Sequence, residues 1–83
     1  MKSIYVSINE LSDSQMKVME FIRDWVKEKK KTVPLKRIIQ EMSKKGMKNE
    51  TTIYSLKILI KKGYIRRSQM ISNKTEFVQL RNV

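Results

Sequence analysis

Leu56-Lys57-Ile58-Leu59-Ile60-Lys61-Lys62-Gly63-Tyr64-Ile65 is the stretch that decides the fold. Leu56, Leu59 and Ile60 recur at three- and four-residue steps, the spacing of one helix face. Two lysines follow, where cations complement the negative end of a helix. Gly63 then supplies the left-handed cap residue. From Tyr64 the period changes to two. Tyr64 to Ile71 reads as a strand, Ser72-Asn73-Lys74-Thr75 as a turn, and Glu76 to Arg81 as a returning strand.

Upstream, Lys44-Lys45-Gly46 repeats the same ending. It closes a short helix whose apolar side is Leu35, Ile38, Ile39 and Met42. Thr32-Val33-Pro34 precedes it as a break, with Thr32 or Val33 in a short strand or turn. Before the break, Val18, Met19, Ile22, Trp25 and Val26 mark a longer helix, capped by Ser12 or Asp13 and running to about Glu28 or Lys30. Between the last two helices stands Met47-Lys48-Asn49-Glu50, with Asn49 expected as N-cap and Glu50 suited to the positive helix end. Residues 3–9 alternate, and Ile4, Val6 and Ile8 read as one face of a short strand.

The order is strand, helix, break, short helix, tight turn, helix, hairpin. The expected fold class is α+β: a winged helix-turn-helix, three helices with a C-terminal β-hairpin wing and a short N-terminal strand. One domain fills residues 1–83, with the strand at 1–9, the helical core at 12–62 and the hairpin at 64–82.

Composition narrows the function. The chain has 83 residues, 19 Lys and Arg, 8 Asp and Glu, and a formal charge of +11. Residues 1–28 carry four basic and five acidic side chains, whereas residues 29–83 carry 15 basic and three acidic. That segregation points to an anion-binding face. Cys and His are absent and Gly occurs twice. These counts exclude a thiol nucleophile, a thiolate or imidazole metal site and a Gly-rich phosphate loop. Glu20/Asp24 and Asp24/Glu28 are four residues apart on a Lys-studded face and read as ion-pair partners, not as a nuclease metal pair. No enzyme, cofactor, metal or small-molecule ligand is expected. No apolar run approaches a membrane span and no signal peptide is visible, so the expected compartment is the cytoplasm.

Stepping about 100° per residue around the last helix from Leu56 places Thr52, Ile53, Leu59 and Ile60 on the buried side. Glu50, Thr51, Tyr54, Ile58 and Lys61 fall opposite, with Ser55, Lys57 and Lys62 on the flanks. The expected DNA-contacting residues are Lys36, Lys48, Asn49, Thr51, Tyr54, Ser55, Lys61 and Lys62, with Arg66, Arg67 and Lys74 from the hairpin. Hydroxyls contact bases or phosphates, Tyr packs on a thymine methyl or bonds a phosphate, and Lys supplies affinity. Arg66 and Arg67 are adjacent on a strand, so at most one faces the surface of the helix. Ile58 is expected to contact thymine methyls or, preferably, to pack against a wing or a second subunit. Trp25 and the methionines Met16, Met19, Met42, Met47 and Met70 read as core fillers. Lys29-Lys30-Lys31 reads as a solvated helix end or a nucleic-acid contact.

Leu11-Ser12-x-x-Gln15-x-x-Val18-x-x-x-Ile22-Arg23-Asp24, then Val33-Pro34, then Leu56-Lys57-x-Leu59-x-Lys61-Lys62-Gly63-Tyr64-Ile65, resembles the N-terminal DNA-binding domain of the LexA repressor over about residues 11–67. The last of these runs is shared by many winged-helix regulators. The resemblance implies a sequence-specific duplex-DNA-binding transcription regulator, a repressor. It implies a homodimer on a short palindrome, with helix 50–62 in the major groove and the wing on the backbone. Two departures stand out. Ser43-Lys44-Lys45-Gly46-Met47 lacks the Leu-Gly pair of LexA, and the helix start Lys48-Asn49-Glu50-Thr51-Thr52 differs, which implies a different DNA site. The resemblance does not extend to the protease half of LexA, so self-cleavage is not carried over. The alternative class is a winged helix of a virus or mobile element that binds nucleic acid without sequence preference, single strands or a protein. Tyr54, Tyr64 and Phe77 would then stack on bases if exposed.

Overall fold

The structure, a computed structural model, describes residues 11–68 and 75–81. The elements in order are α1 (Asp13–Lys29), β1 (Val33–Pro34), α2 (Leu35–Lys44), α3 (Asn49–Lys61), β2 (Ile65–Arg67) and β3 (Glu76–Gln79). The protein is a small α+β fold of three helices and one three-stranded antiparallel sheet in the order β1-β3-β2. The expected strand at 1–9, the end of the expected strand from 69 to 71 with Met70, and all of the expected turn but Thr75, Lys74 included, lie outside the described residues.

Local chemistry sets the helix limits. Ser12 caps α1 with a reciprocal pair: the Gln15 N–H donates to Ser12 Oγ at 3.3 Å and the Ser12 N–H donates to Gln15 Oε1 at 3.1 Å. At the other end Lys30 adopts φ 53°, a left-handed cap held by a non-glycine residue. Gly46 and Gly63, at φ 86° and 84°, stop α2 and α3 in the same way. The Met47 N–H reaches the Met42 carbonyl at 2.9 Å and the Gly46 N–H the Ser43 carbonyl at 3.0 Å. Tyr64 to Leu59 and Gly63 to Ile60 reproduce that pattern at 2.9 and 3.0 Å. Both endings are Schellman motifs, which any residue with a Cβ would strain. The start of α3 differs from expectation. Lys48, not Asn49, is the cap, and no side chain caps the helix.

The sheet closes on the helices through one face. Val33 pairs with Phe77, and Phe77 with Arg67. Val33, Phe77 and Ile65 are buried there beside Val18, Met19, Ile22, Ile38, Met42, Leu56 and Leu59. Burying aliphatic and aromatic side chains of this size supplies about 1.5–3 kcal/mol each before entropy is charged. Met19 and Met42 are core residues as expected, while Met16 and Met47 pack at its edge.

Trp25 also lies at the core edge and ties α1 to the sheet. Its Nε1–H donates to the Thr32 carbonyl at 3.1 Å. The Thr32 hydroxyl in turn bonds the Glu76 carboxylate on β3. The Leu35 N–H donates to the Thr75 carbonyl at 2.9 Å, which fastens the start of α2 to the residue that leads into β3. Among the described residues no helix is long and apolar enough to cross a membrane.

Candidate nucleic-acid interface

α3 packs on both α1 and α2, and its phase decides which side chains remain outside. Thr52, Ser55, Leu56 and Leu59 are its buried residues. At about 100° per residue they all lie within roughly 60° of Thr52. The buried side is therefore centred near Thr52 and not on Leu56. Two expectations change with this rotation of about 50°. Ser55, expected on an accessible flank, is 1% exposed and cannot touch a partner on this surface. Ile53, expected inside, is 39% exposed.

The opposite side carries Glu50, Tyr54, Lys57 and Lys61 at steps of four, three and four, all exposed. Tyr54 is 61% exposed and is the most open large hydrophobic side chain on the helix. Lys57 belongs to this stripe although its flank position left it out of the expected contacts. Ile58 is half-buried, which favours the packing role over base contact.

Two concavities flank the stripe. One lies at the start of α3, where Ser14 and Lys17 of α1 meet Lys45, Lys48 and Thr51. Lys48 and Thr51 were expected there; Lys17 and Lys45 are brought in by the packing of α1 against the turn. The other runs between α3 and the sheet, where Ile53, Lys57 and Arg67 line a cleft floored by Leu56, Ile60 and Phe77. Arg67 thus faces α3. Arg66 points to the other sheet face and donates to the Arg67 carbonyl at 3.5 Å.

Lys36 does not join the stripe. It lines a separate cleft with Arg37, Ile39 and Glu76. Asn49 is exposed as the first residue of α3, and Lys62 is half-buried at its end.

The aromatic residues separate sharply. Tyr64 is 7% exposed, with the Arg81 guanidinium 5.1 Å from its ring centre, and Phe77 is buried. Neither offers a face for base stacking. Trp25 is half-buried, tilted against Phe21 at 5.9 Å, with Lys29 Nζ at 5.0 Å and Arg37 Cζ at 5.8 Å from its ring centre. Lys29 is thereby engaged with the fold. The first helix also carries an Arg23–Asp24 ion pair of 3.3 Å, with side chains 41% and 68% exposed. Such a pair adds little stability.

No protein-family model, curated protein or solved structure matches this chain.

Proposed function

We infer that the protein is a winged helix-turn-helix regulator that binds duplex DNA with sequence preference. In this reading α3 enters the major groove and the β2–β3 hairpin is the wing. The observation that carries it is the outward stripe of α3. A carboxylate, an exposed aromatic ring and two lysines stand in one line, with Ile53 and Arg67 beside it and Lys17, Lys45 and Lys48 at its start. A major groove about 12 Å wide admits one helix, and such a stripe is what its edges meet. The lysines supply counterion-release affinity, and Ile53 and Tyr54 offer apolar contacts to thymine methyls. The two Schellman endings support the reading, because they turn α2 into α3 and α3 into the hairpin within a few residues.

The likeness to the LexA DNA-binding domain points the same way and adds the proposals of repression and of homodimeric binding to a palindrome. Burial of Tyr64 and Phe77 weighs against a single-strand binder that works by stacking.

The test is selection from a random duplex pool, beside a single-stranded pool, at ~150 mM salt. A recovered palindrome, lost in Tyr54→Ala, supports a sequence-reading dimer. Its half-site spacing reports the dimer geometry. For the recovered site, Lys57→Ala lowers the slope of log K against log salt by about 0.9 if Lys57 meets a phosphate. No motif, with binding that vanishes as salt rises, would leave only a general electrostatic footprint.

A further inference from the structure

Glu50 is the one carboxylate on α3. It stands in the first turn, exposed, in line with Tyr54, Lys57 and Lys61. It makes no hydrogen bond or ion pair within the described residues, although the chain around it is rich in lysine. Residues 29–83 hold 15 cations and only three acids. Of the other two acids, Glu76 is held by Thr32 on the sheet and Glu41 lies on α2. A negative charge therefore stands alone at the N-terminal end of the stripe that would meet a polyanion.

A carboxylate there is a poor phosphate neighbour and an acceptor with no donor function. The N-terminal part of a groove-reading helix is the part that reaches base edges. On the floor of the major groove the donors are few. Guanine presents N7 and O6 and thymine O4, all acceptors; cytosine N4 and adenine N6 carry the amino groups. A carboxylate pressed toward guanine or thymine would lose its water and gain nothing.

We propose that Glu50 is a specificity residue that selects a base amino group, cytosine N4, in the half-site that α3 reads. This rests on the major-groove reading of α3 above. Glu50 then acts in two ways: it accepts a hydrogen bond from the correct base, and it weakens binding to every sequence that offers only acceptors and phosphates. The wrong base at that position costs roughly tenfold or more in affinity.

The experiment is site selection from random duplex with the wild-type chain, Glu50→Gln and Glu50→Ala, followed by titration of the recovered sites. Thermal melts establish that all three are folded. The wild type is expected to fix cytosine at one position of each half-site. Glu50→Gln moves that position to adenine, whose N6 and N7 suit a carboxamide, and leaves the others unchanged. Glu50→Ala makes the position degenerate and tightens binding to random duplex. Adenine in the wild-type motif, released in Glu50→Ala, would assign the amino group as N6 and overturn the choice of cytosine. A wild-type motif that reappears unchanged at every position in Glu50→Ala overturns the proposal. Glu50 would then serve only the positive end of the helix dipole. Failure to recover any motif with the wild type overturns instead the reading of α3 as a sequence reader, and the proposal falls with it.

Discussion

Replacing Thr52 by Val should make the protein more stable. Thr52 is 0% exposed on the buried side of α3, and its Oγ1 has no hydrogen-bond partner among the described residues. Its N–H is satisfied by the Lys48 carbonyl at 3.0 Å, so the backbone loses nothing in the exchange. Thr and Val have the same branched shape and similar helix propensity. The substitution removes a buried hydroxyl whose desolvation costs about 1–3 kcal/mol by mutational data. It also adds a methyl to the core, worth under ~0.8 kcal/mol if the site is tight. A net gain of about 1–2 kcal/mol follows. In a chain of 83 residues, each kcal/mol moves Tm by roughly 4–8 °C. Urea unfolding should show a higher midpoint at unchanged slope, so that the gain belongs to the native state. Binding to any nucleic-acid site should not change, since the side chain points inward. An unchanged or lower midpoint would refute the reasoning. The hydroxyl would then be paired, either with the second lone pair of the Lys48 carbonyl or with a buried water.

Three further predictions test other parts of the fold. Ser55→Lys should cost more than about 3 kcal/mol by burying an unpaired charge, whereas Tyr54→Lys, one residue away, should stay within about 0.5 kcal/mol; thermal melts that rank the two alike would mean a different phase for α3. Lys30→Gly should stabilise by about 0.5–1 kcal/mol, because the φ of 53° there strains a residue with a Cβ; a lower melting temperature would show that the lost lysine matters more than the relieved strain. Trp25→Phe should cost about 1–2 kcal/mol, from the Thr32 carbonyl left without its donor and from weaker cation–π contacts with Lys29 and Arg37; urea unfolding followed by circular dichroism would show no loss if Trp25 only fills space.

What was legible in the sequence was what is local in physics. Ser12 with Gln15, the apolar spacing of Val18, Met19 and Ile22, and the two Lys-Lys-Gly endings each act within five residues. They set helix ends without help from the rest of the chain. The alternation of Arg66 and Arg67 was equally readable, since a strand leaves no other choice. The three-stranded sheet was less so. Val33-Pro34 is two residues long, and it is a strand because Phe77 and Glu76 arrive 44 and 42 positions later to pair with it. The cap of α3 shows a third case. Asn49 has the better capping chemistry, but the Schellman turn at Gly46 fixes the chain direction, and the extended residue that leaves it is Lys48.

The phase of α3 is where local reading fails for a reason that bears on function. Apolar residues stand at Ile53, Leu56, Leu59 and Ile60, all within about 60° of Leu56, with Ile58 on the far side, so hydropathy alone centres the buried side on Leu56. The fold turns α3 away from that centre and buries two small hydroxyl residues, Thr52 and Ser55, while Ile53 stays 39% exposed. Burying Ile53 in their stead would have gained apolar area. Instead the fold gives up that area, leaves an unpaired hydroxyl inside, and holds Ile53 outside beside Tyr54. A chain this small has little stability to forgo. An aliphatic side chain left 39% exposed and an aromatic one left 61% exposed, on either side of Lys57, therefore argue for a contact made outside the fold. In the proposed complex those two side chains are the apolar centre of the interface, and the buried hydroxyls of α3 are the cost of presenting them.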